Sequence, residues 1–236
     1  MHKFENQPNR EAIGGMLEPD TNNRTRKMGH KTDKECIEEV IKSTFDALQY
    51  AHLYQQEASP KPTDAKRQCR SRIVFPQKRK RKGEVTRISE QELRFVFVEQ
   101  LNKKIEKDWD VFYAVETPTK DSYSGFSKGQ NPKQDNNGRS GEFDLVVFNN
   151  QLKRIALIEF KANNASSHDH KKDFIKLNNP KEGGTDVLRY LIEIVNAYDM
   201  GTLSSLHSKI AGNESIFRCW SLRDGRDITE EICKIK

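Results

Sequence analysis

The sequence has little that would indicate a secreted or membrane-spanning protein. Its four cysteines are scattered over 236 residues without a C-x-x-C pair, so neither a disulfide framework nor a zinc knuckle is expected. No apolar run approaches the roughly 20 residues of a membrane-spanning helix, and the first residues lack the apolar segment of a secretory signal. We therefore expect a cytoplasmic protein that has no membrane partner.

Apolar residues are also scarce for a chain of this length. Hydrophobic residues make up 34% and charged residues 32% of the sequence, and the mean hydropathy is -0.89. This composition predicts one compact domain with poorly packed segments rather than two full domains. We expect a flexible tail over 1–31, a helix and basic linker over 32–84, and an α/β domain over 85–236.

The positive charge is concentrated in the predicted linker. The chain has 41 Lys and Arg against 35 Asp and Glu, a formal net charge of +6, and the stretch from Lys61 to Arg87 is strongly basic. Its densest run consists of Lys78, Arg79, Lys80, Arg81 and Lys82. Such a run is typical of nucleic-acid contacts or a nuclear address, and equally of a solvated charged loop.

Two capping boxes indicate where helices begin. Thr32 with Glu35 opens an amphipathic helix that should end near Gln56, and Ser89 with Glu92 opens a second one. The apolar stripe of the first helix predicts either a place in the core or a partner-binding surface.

The remaining elements follow from hydrophobic periodicity and turn residues. We expect a strand over 111–115, a polar loop over 120–141, a hairpin of strands 142–148 and 152–162, a short helix near 171–177, a helix from about Thr185 or Asp186 to Tyr198, and a last strand over 216–222. Both hairpin strands carry consecutive apolar residues, which predicts a mixed sheet covered by helices on both faces.

The hairpin also carries the residues with the clearest chemistry. Side chains alternate along a strand, so Glu159 and Lys161 share a face. The turn at 149–151 would bring Asp144 near Leu157 or Glu159. Two carboxylates with water and phosphate oxygens suit Mg²⁺, and an ammonium could position the attacking water. Alternatively, Glu159 and Lys161 form an exposed ion pair and Asp144 merely ends a strand.

In these segments the sequence resembles the PD-(D/E)xK nuclease superfamily, which has the restriction-endonuclease-like fold. The matching segments are Glu142–Asp144 and Ile158–Lys161, preceded by the helix that starts at Ser89. The resemblance covers about residues 85 to 225 and departs from the family name in having Phe143 where the Pro would stand. It implies an α-β-β-β-α-β core in which the helix from about 186 is the second helix.

The resemblance also implies roles for single residues. Asp144 and Glu159 would bind Mg²⁺, with Mn²⁺ as an alternative, and Lys161 would assist the water. Glu90, near the start of the first core helix, would join the site, although Glu92 and Glu99 compete for that role.

A basic segment follows the hairpin. We predict that His170, Lys172 and Lys176 contact nucleic acid over the active site, and a solvated helix start is the alternative. His168 and His170 have a spacing that suits a transition metal, but no third ligand stands nearby.

These features predict a metal-dependent nuclease, most readily a DNA endonuclease of restriction, repair or defence. Double-strand cutting with one site per chain would favour a homodimer. A non-catalytic nucleic-acid-binding module on the same fold, and an interaction protein that docks a partner through its first helix, remain as alternatives.

Overall fold

A mixed sheet carries the consecutive apolar residues of the predicted hairpin. The computed structural model describes residues 31–56, 71–80, 83–127 and 129–235, so residues 1–30 of the predicted tail and 57–70 of the predicted linker lie outside it. Its helices are α1 (Asp33–Gln56), α2 (Glu90–Asp108), α3 (Ser167–Leu177), α4 (Met200–Ile210) and α5 (Thr229–Cys233), with a 3-10 turn at Pro180–Glu182. Its strands are β1 (Gln77–Lys80), β2 (Gly83–Thr86), β3 (Val111–Ser124), β4 (Lys133–Gln134), β5 (Arg139–Asn149), β6 (Arg154–Ala162), β7 (Leu188–Val195), β8 (Ile216–Ser221) and β9 (Arg226–Asp227).

Seven of the strands form one sheet in the order β4-β3-β5-β6-β7-β8-β9. Strands β3, β5 and β6 are antiparallel neighbours, whereas β6, β7 and β8 run parallel. Strands β1 and β2 form a separate hairpin. Because α3 lies between the parallel strands β6 and β7 in the sequence, it serves as their crossover.

Helices cover both faces of the sheet, as the sequence predicts. One apolar cluster joins α1 and α2 to one face, and a second joins α3, α4 and α5 to the other. The predicted α/β class is therefore confirmed. The elements from α2 to β7 follow the order α-β-β-β-α-β, apart from the two-residue β4.

Both predicted capping boxes are present. The Glu35 carboxylate accepts the Thr32 amide at 2.7 Å, and the Glu92 carboxylate accepts the Ser89 amide at 2.9 Å. The apolar face of α1 is buried in the cluster that also contains α2. Thr32–Lys236 forms one compact unit, so α1 contributes to the same core as the predicted 85–236 domain.

The predicted helix from Thr185 or Asp186 to Tyr198 is wrong, because this segment contains strand β7. Every residue from Tyr190 to Val195 is buried, as expected for an interior parallel strand that is covered on both faces. Its near-continuous apolar run fits a helical stripe and a covered strand equally well. Helix α3 is the second helix of the α-β-β-β-α-β order instead.

The predicted loop over 120–141 is also largely wrong, because β3 continues to Ser124 and β5 begins at Arg139. The buried carboxylate of Glu182 fixes this polar part of β3. It accepts the backbone amides of Lys120 and Asp121 at 2.7 and 3.0 Å and the Tyr123 hydroxyl at 3.0 Å. These contacts hold the strand across a register shift between Pro118 and Ser122.

Within the part of the chain that the structure describes, none of the helices has the length and apolar character needed to cross a membrane.

Candidate active site

Asp144 and Glu159 lie on neighbouring antiparallel strands and share a face. The register pairs Leu145 with Ile158, so the next residues, Asp144 and Glu159, stand opposite each other. The Asp144 Oδ2 atom accepts the backbone N–H of Phe160 at 2.8 Å. Asp144 keeps 27% of its side chain exposed, whereas Glu159 is 2% exposed. One carboxylate is therefore partly accessible to solvent, and the other is buried in the protein.

Lys161 lies two residues beyond Glu159 on β6 and is buried on the same face. Its ammonium donates to the Phe160 carbonyl at 3.0 Å and lies 2.5 Å from Asp173 Oδ2. The carboxylate of Glu90, in the first turn of α2, is 3.7 Å away. The structure thus brings Asp144, Glu159, Lys161 and Glu90 to one region of the sheet.

Arg94 lies on the open side of this region. Its guanidinium is 3.9 Å from Asp144 Oδ1 and 3.3 Å from the Glu116 carboxylate. Glu116 has a positive φ of 48°, a conformation that non-glycine residues rarely adopt. It is mostly exposed, so Arg94 bridges a site carboxylate to the surface.

Helix α3 places a row of charged side chains over the strands. His170, Asp173 and Lys176 recur every three residues and are buried. His170 Nε2 lies 3.0 Å from the Glu193 carboxylate, and the Lys176 ammonium contacts the Glu159 carboxylate. Each strand charge under the helix therefore meets an opposite or hydrogen-bonding partner, which is what burial of ionisable groups requires.

The acidic groups have shifted pKa values. Burial, together with the neighbouring carboxylates Asp173 and Asp144, raises the pKa of Glu159 well above its ordinary value, although Lys176 acts in the opposite direction. Burial also raises the pKa of Glu90, with Lys161 opposing it. Burial is the main cause of both shifts, and the neighbouring carboxylates add to it while nearby lysines oppose it.

The pKa values of the two lysines are also raised, but by neighbouring charges and against the effect of burial. Burial alone would lower the pKa of Lys161, but Asp173, Glu159 and Glu90 outweigh it and raise that pKa. The pKa of Lys176 is raised in the same way, by Glu159 and Asp173 against burial. Both ammonium groups are therefore charged at neutral pH.

Two of the predicted nucleic-acid contacts are buried side chains. His170 is fully buried against Glu193, and Lys176 is 3% exposed and contacts Glu159, so both have protein partners and their contact with nucleic acid stays a prediction. Lys172 is half-buried, and its charge opposes the rise that burial causes in the pKa of Glu90.

The predicted basic run falls only partly in the described residues. Lys78 and Arg79 are exposed in the β1–β2 hairpin, and the backbone of Lys80 ends β1. Arg81 and Lys82 lie outside the described residues. The exposed part of the run remains a candidate nucleic-acid contact.

The donor set at Asp144 and Glu159 fits Mg²⁺. No group of three or more His, Cys, Asp or Glu side chains in the described ranges is arranged to hold a metal ion. Mg²⁺, however, often binds through one or two carboxylates and keeps several waters. Asp144 and Glu159 are such a pair of carboxylates, one partly exposed and the other buried against Lys176.

Sequence reasoning did not single out Asp173 or Glu193, and it did not foresee the buried contact between Lys176 and Glu159. The available signal was the i, i+3, i+6 spacing of His170, Asp173 and Lys176, interleaved with the buried Phe174. Charges that share a helix face with apolar residues lie on the face that packs on the core.

Comparison of the chain with protein-family models, with curated proteins and with solved structures found no match.

Proposed function

We propose that the chain is a metal-dependent nuclease that hydrolyses phosphodiester bonds, with a restriction-endonuclease-like fold. The observation that carries this proposal is the convergence of Asp144, Glu159 and Lys161 on one face of an otherwise apolar hairpin. Two carboxylates, one of them partly exposed, and one ammonium suit the handling of a charged phosphodiester. The α-β-β-β-α-β order of elements supports the resemblance to the PD-(D/E)xK superfamily.

Asp144 and Glu159 would hold Mg²⁺, or Mn²⁺ in its place. The bound ion would supply Lewis-acid polarisation of the phosphate and a lowered pKa for an attacking water. Lys161 stays protonated, so its part is to donate hydrogen bonds and stabilise the negative charge that develops on the phosphate. Glu90 faces Lys161 from the open side and joins the acidic group there.

The substrate is proposed as DNA, cut internally, in restriction, repair or defence. This part of the proposal follows the resemblance. The formal net charge of +6 and the exposed Lys78 and Arg79 support a polyanionic substrate. A homodimer would allow both strands of a duplex to be cut, since each chain carries one site.

The test is cleavage of supercoiled plasmid DNA in Mg²⁺. A closed circle can be cut only internally, so nicked or linear product would establish endonuclease activity. We expect the wild type to cut and Lys161→Ala to lose the activity, with Lys153→Ala as the matched control because Lys153 lies in an exposed turn. Equal cutting by Lys161→Ala and Lys153→Ala would refute the proposed mechanism.

One observation favours a second candidate, a non-catalytic nucleic-acid-binding module. Glu159 and Lys161 already have buried partners in Lys176 and Asp173, and such pairs can be purely structural. Calorimetric titration with Mn²⁺ separates the two candidates. The module should show no binding that depends on the Asp144 and Glu159 carboxylates.

A further inference from the structure

Asp173 occupies a central position between the two buried lysines. Its side chain is 1% exposed, with Oδ2 2.5 Å from Lys161 Nζ and Oδ1 3.2 Å from Lys176 Nζ. Burial alone would raise the pKa of Asp173, but Lys161 and Lys176 outweigh it and lower that pKa. Asp173 is therefore a carboxylate that stays ionised and touches both lysines.

The two lysines differ in how many N–H donors they have left. An ammonium has three donors. Lys176 directs its donors to the Glu159 carboxylate, to the Glu142 carbonyl at 2.6 Å and to Asp173. Its hydrogen-bonding capacity is therefore filled inside the protein.

Lys161 has two close contacts, the Phe160 carbonyl at 3.0 Å and Asp173. Its third neighbour, the carboxylate of Glu90, is at 3.7 Å, beyond an ordinary hydrogen bond. The side chain of Glu90 is 46% exposed. Lys161 Nζ therefore has one hydrogen bond, to Phe160, and one ion-pair contact, to Asp173, and its next polar neighbour is the partly exposed Glu90, although Lys161 itself is 5% exposed.

We propose that Asp173 is a positioning residue, which anchors the Lys161 ammonium so that its remaining N–H is held toward the open side of the site. This inference rests on the proposed function in one respect, since the group that receives the N–H would be a phosphate oxygen or the attacking water. Glu159 is not the anchor, because its ion pair is with Lys176, whereas that of Lys161 is with Asp173. Asp173 is the acidic group in contact with Lys161 that α3 itself holds in place.

The anchoring also fits the charge balance of the buried cluster. Glu159 and Asp173 contribute two negative charges, and Lys161 and Lys176 contribute two positive charges, so the four sum to zero. Removing Asp173 leaves Lys161 without its nearest carboxylate and gives the cluster an excess positive charge. Both changes favour loss of the Lys161 proton.

The test compares Asp173→Asn with Asp169→Asn. The first substitution keeps the shape of the side chain and removes its charge, and Asp169 is a 46% exposed carboxylate on the same helix. In the metal-free protein, NMR of ¹⁵N-labelled lysine amines follows the titration of Lys161, assigned through Lys161→Arg. We expect Asp173→Asn to lower that titration point by about 1–3 pH units, and Asp169→Asn to lower it by less, because Asp169 acts on Lys161 through charge without forming an ion pair with it.

Cleavage kinetics provide the second measurement. We expect Asp173→Asn to lower kcat about 100-fold with KM unchanged, as for a displaced catalytic group. Its kcat should also decline at alkaline pH, where Lys161 would lose its proton, whereas the wild type should show no such decline. A purely structural role for Asp173 would not produce this change in the pH profile.

The outcomes are separable. If Asp173→Asn shows the same Lys161 titration and the same kcat as Asp169→Asn, the inference is overturned. A wild type that cuts no DNA would remove the proposed function, and the Lys161 titration would still decide whether Asp173 anchors that lysine. If Asp173→Asn does not fold, the double variant Asp173→Asn/Lys176→Met keeps the charge sum at zero. Wild-type titration of Lys161 in that variant would equally overturn the inference.

Discussion

Replacement of Lys176 by Met tests the electrostatics of the site through stability. The two side chains are similar in length, so the variant removes a charge with little loss of packing. Lys176 contacts Glu159, Asp173 and the Glu142 carbonyl. Without it, Asp173 retains Lys161, but Glu159 remains as a carboxylate only 2% exposed without its nearest cation.

The expected loss of folding stability in Lys176→Met is large. Removing one partner of a buried ion pair destabilises a protein by about 3–5 kcal/mol, because the other charge stays buried without compensation. For a chain of this size, each kcal/mol corresponds to a change in Tm of roughly 2–4 °C. Lys176→Met should therefore lower the Tm by about 6–20 °C near neutral pH.

The stability difference between Lys176→Met and the wild type should depend on pH. The pKa of Glu159 is already raised in the folded protein, and loss of Lys176 raises it further. A group whose pKa is higher in the folded state contributes stability below its unfolded pKa, and that contribution is lost as the pH rises through the folded pKa. Lys176→Met should therefore lie closer to the wild type at about pH 5 than at about pH 8.

Thermal unfolding followed by circular dichroism measures these differences. The matched control is Lys171→Met, because Lys171 is an exposed lysine on the same helix. The double variant Glu159→Gln/Lys176→Met should recover part of the lost stability, since it removes both charges of the pair. Equal Tm values for Lys176→Met and Lys171→Met at the higher pH, or a difference that does not vary with pH, would refute the reasoning.

Three further predictions concern other parts of the fold. Glu182→Ala should destabilise the protein by about 3 kcal/mol, because Glu182 is a fully buried acceptor, whereas Ala at the exposed Glu142 should have little effect on the measured Tm. Asn163, at a φ of 59°, should tolerate Gly better than Ala, because glycine adopts that conformation freely; denaturant unfolding that ranks Ala above Gly would contradict this. If the β1–β2 hairpin contacts DNA, Ala at Lys78 or Arg79 should each reduce the slope of log K against log salt by about 0.9, and unchanged slopes in a binding titration would exclude the contact.

The sequence predicted those parts of the fold that depend on local signals. Ser89 with Glu92 marks the start of α2 because a capping box is a contact between residues three positions apart. The convergence of Asp144 and Glu159 was only partly predictable. Alternation places Glu159 and Lys161 on one face, but a register shift between Val147 and Phe148 sets Asp144 opposite Glu159 rather than Ile158. A capping box and alternation along one strand are therefore readable from the sequence, whereas a bulge that sets the pairing of two strands is not.

Prediction from the sequence failed where the interacting residues are far apart in the chain, and where one hydrophobic pattern fits both a helix and a strand. The buried apolar run of β7 fits either a helix or a covered strand, and its parallel pairing with β6 decides between them. The predicted contact of His170 and Lys176 with nucleic acid requires accessible side chains, as charged residues usually have. Their burial depends on Glu193 and Glu159, 23 and 17 residues away.

Calorimetric titration of Mn²⁺ into the wild type and Asp144→Asn tests the central claim most directly. Asparagine can still accept the Phe160 amide that Asp144 accepts at 2.8 Å, so the variant removes the charge and keeps the local structure. We expect the wild type to bind Mn²⁺ and Asp144→Asn to bind it at least about tenfold more weakly, a change of roughly 1.4 kcal/mol. Equal Mn²⁺ affinity in the two proteins would contradict a metal site at Asp144 and Glu159.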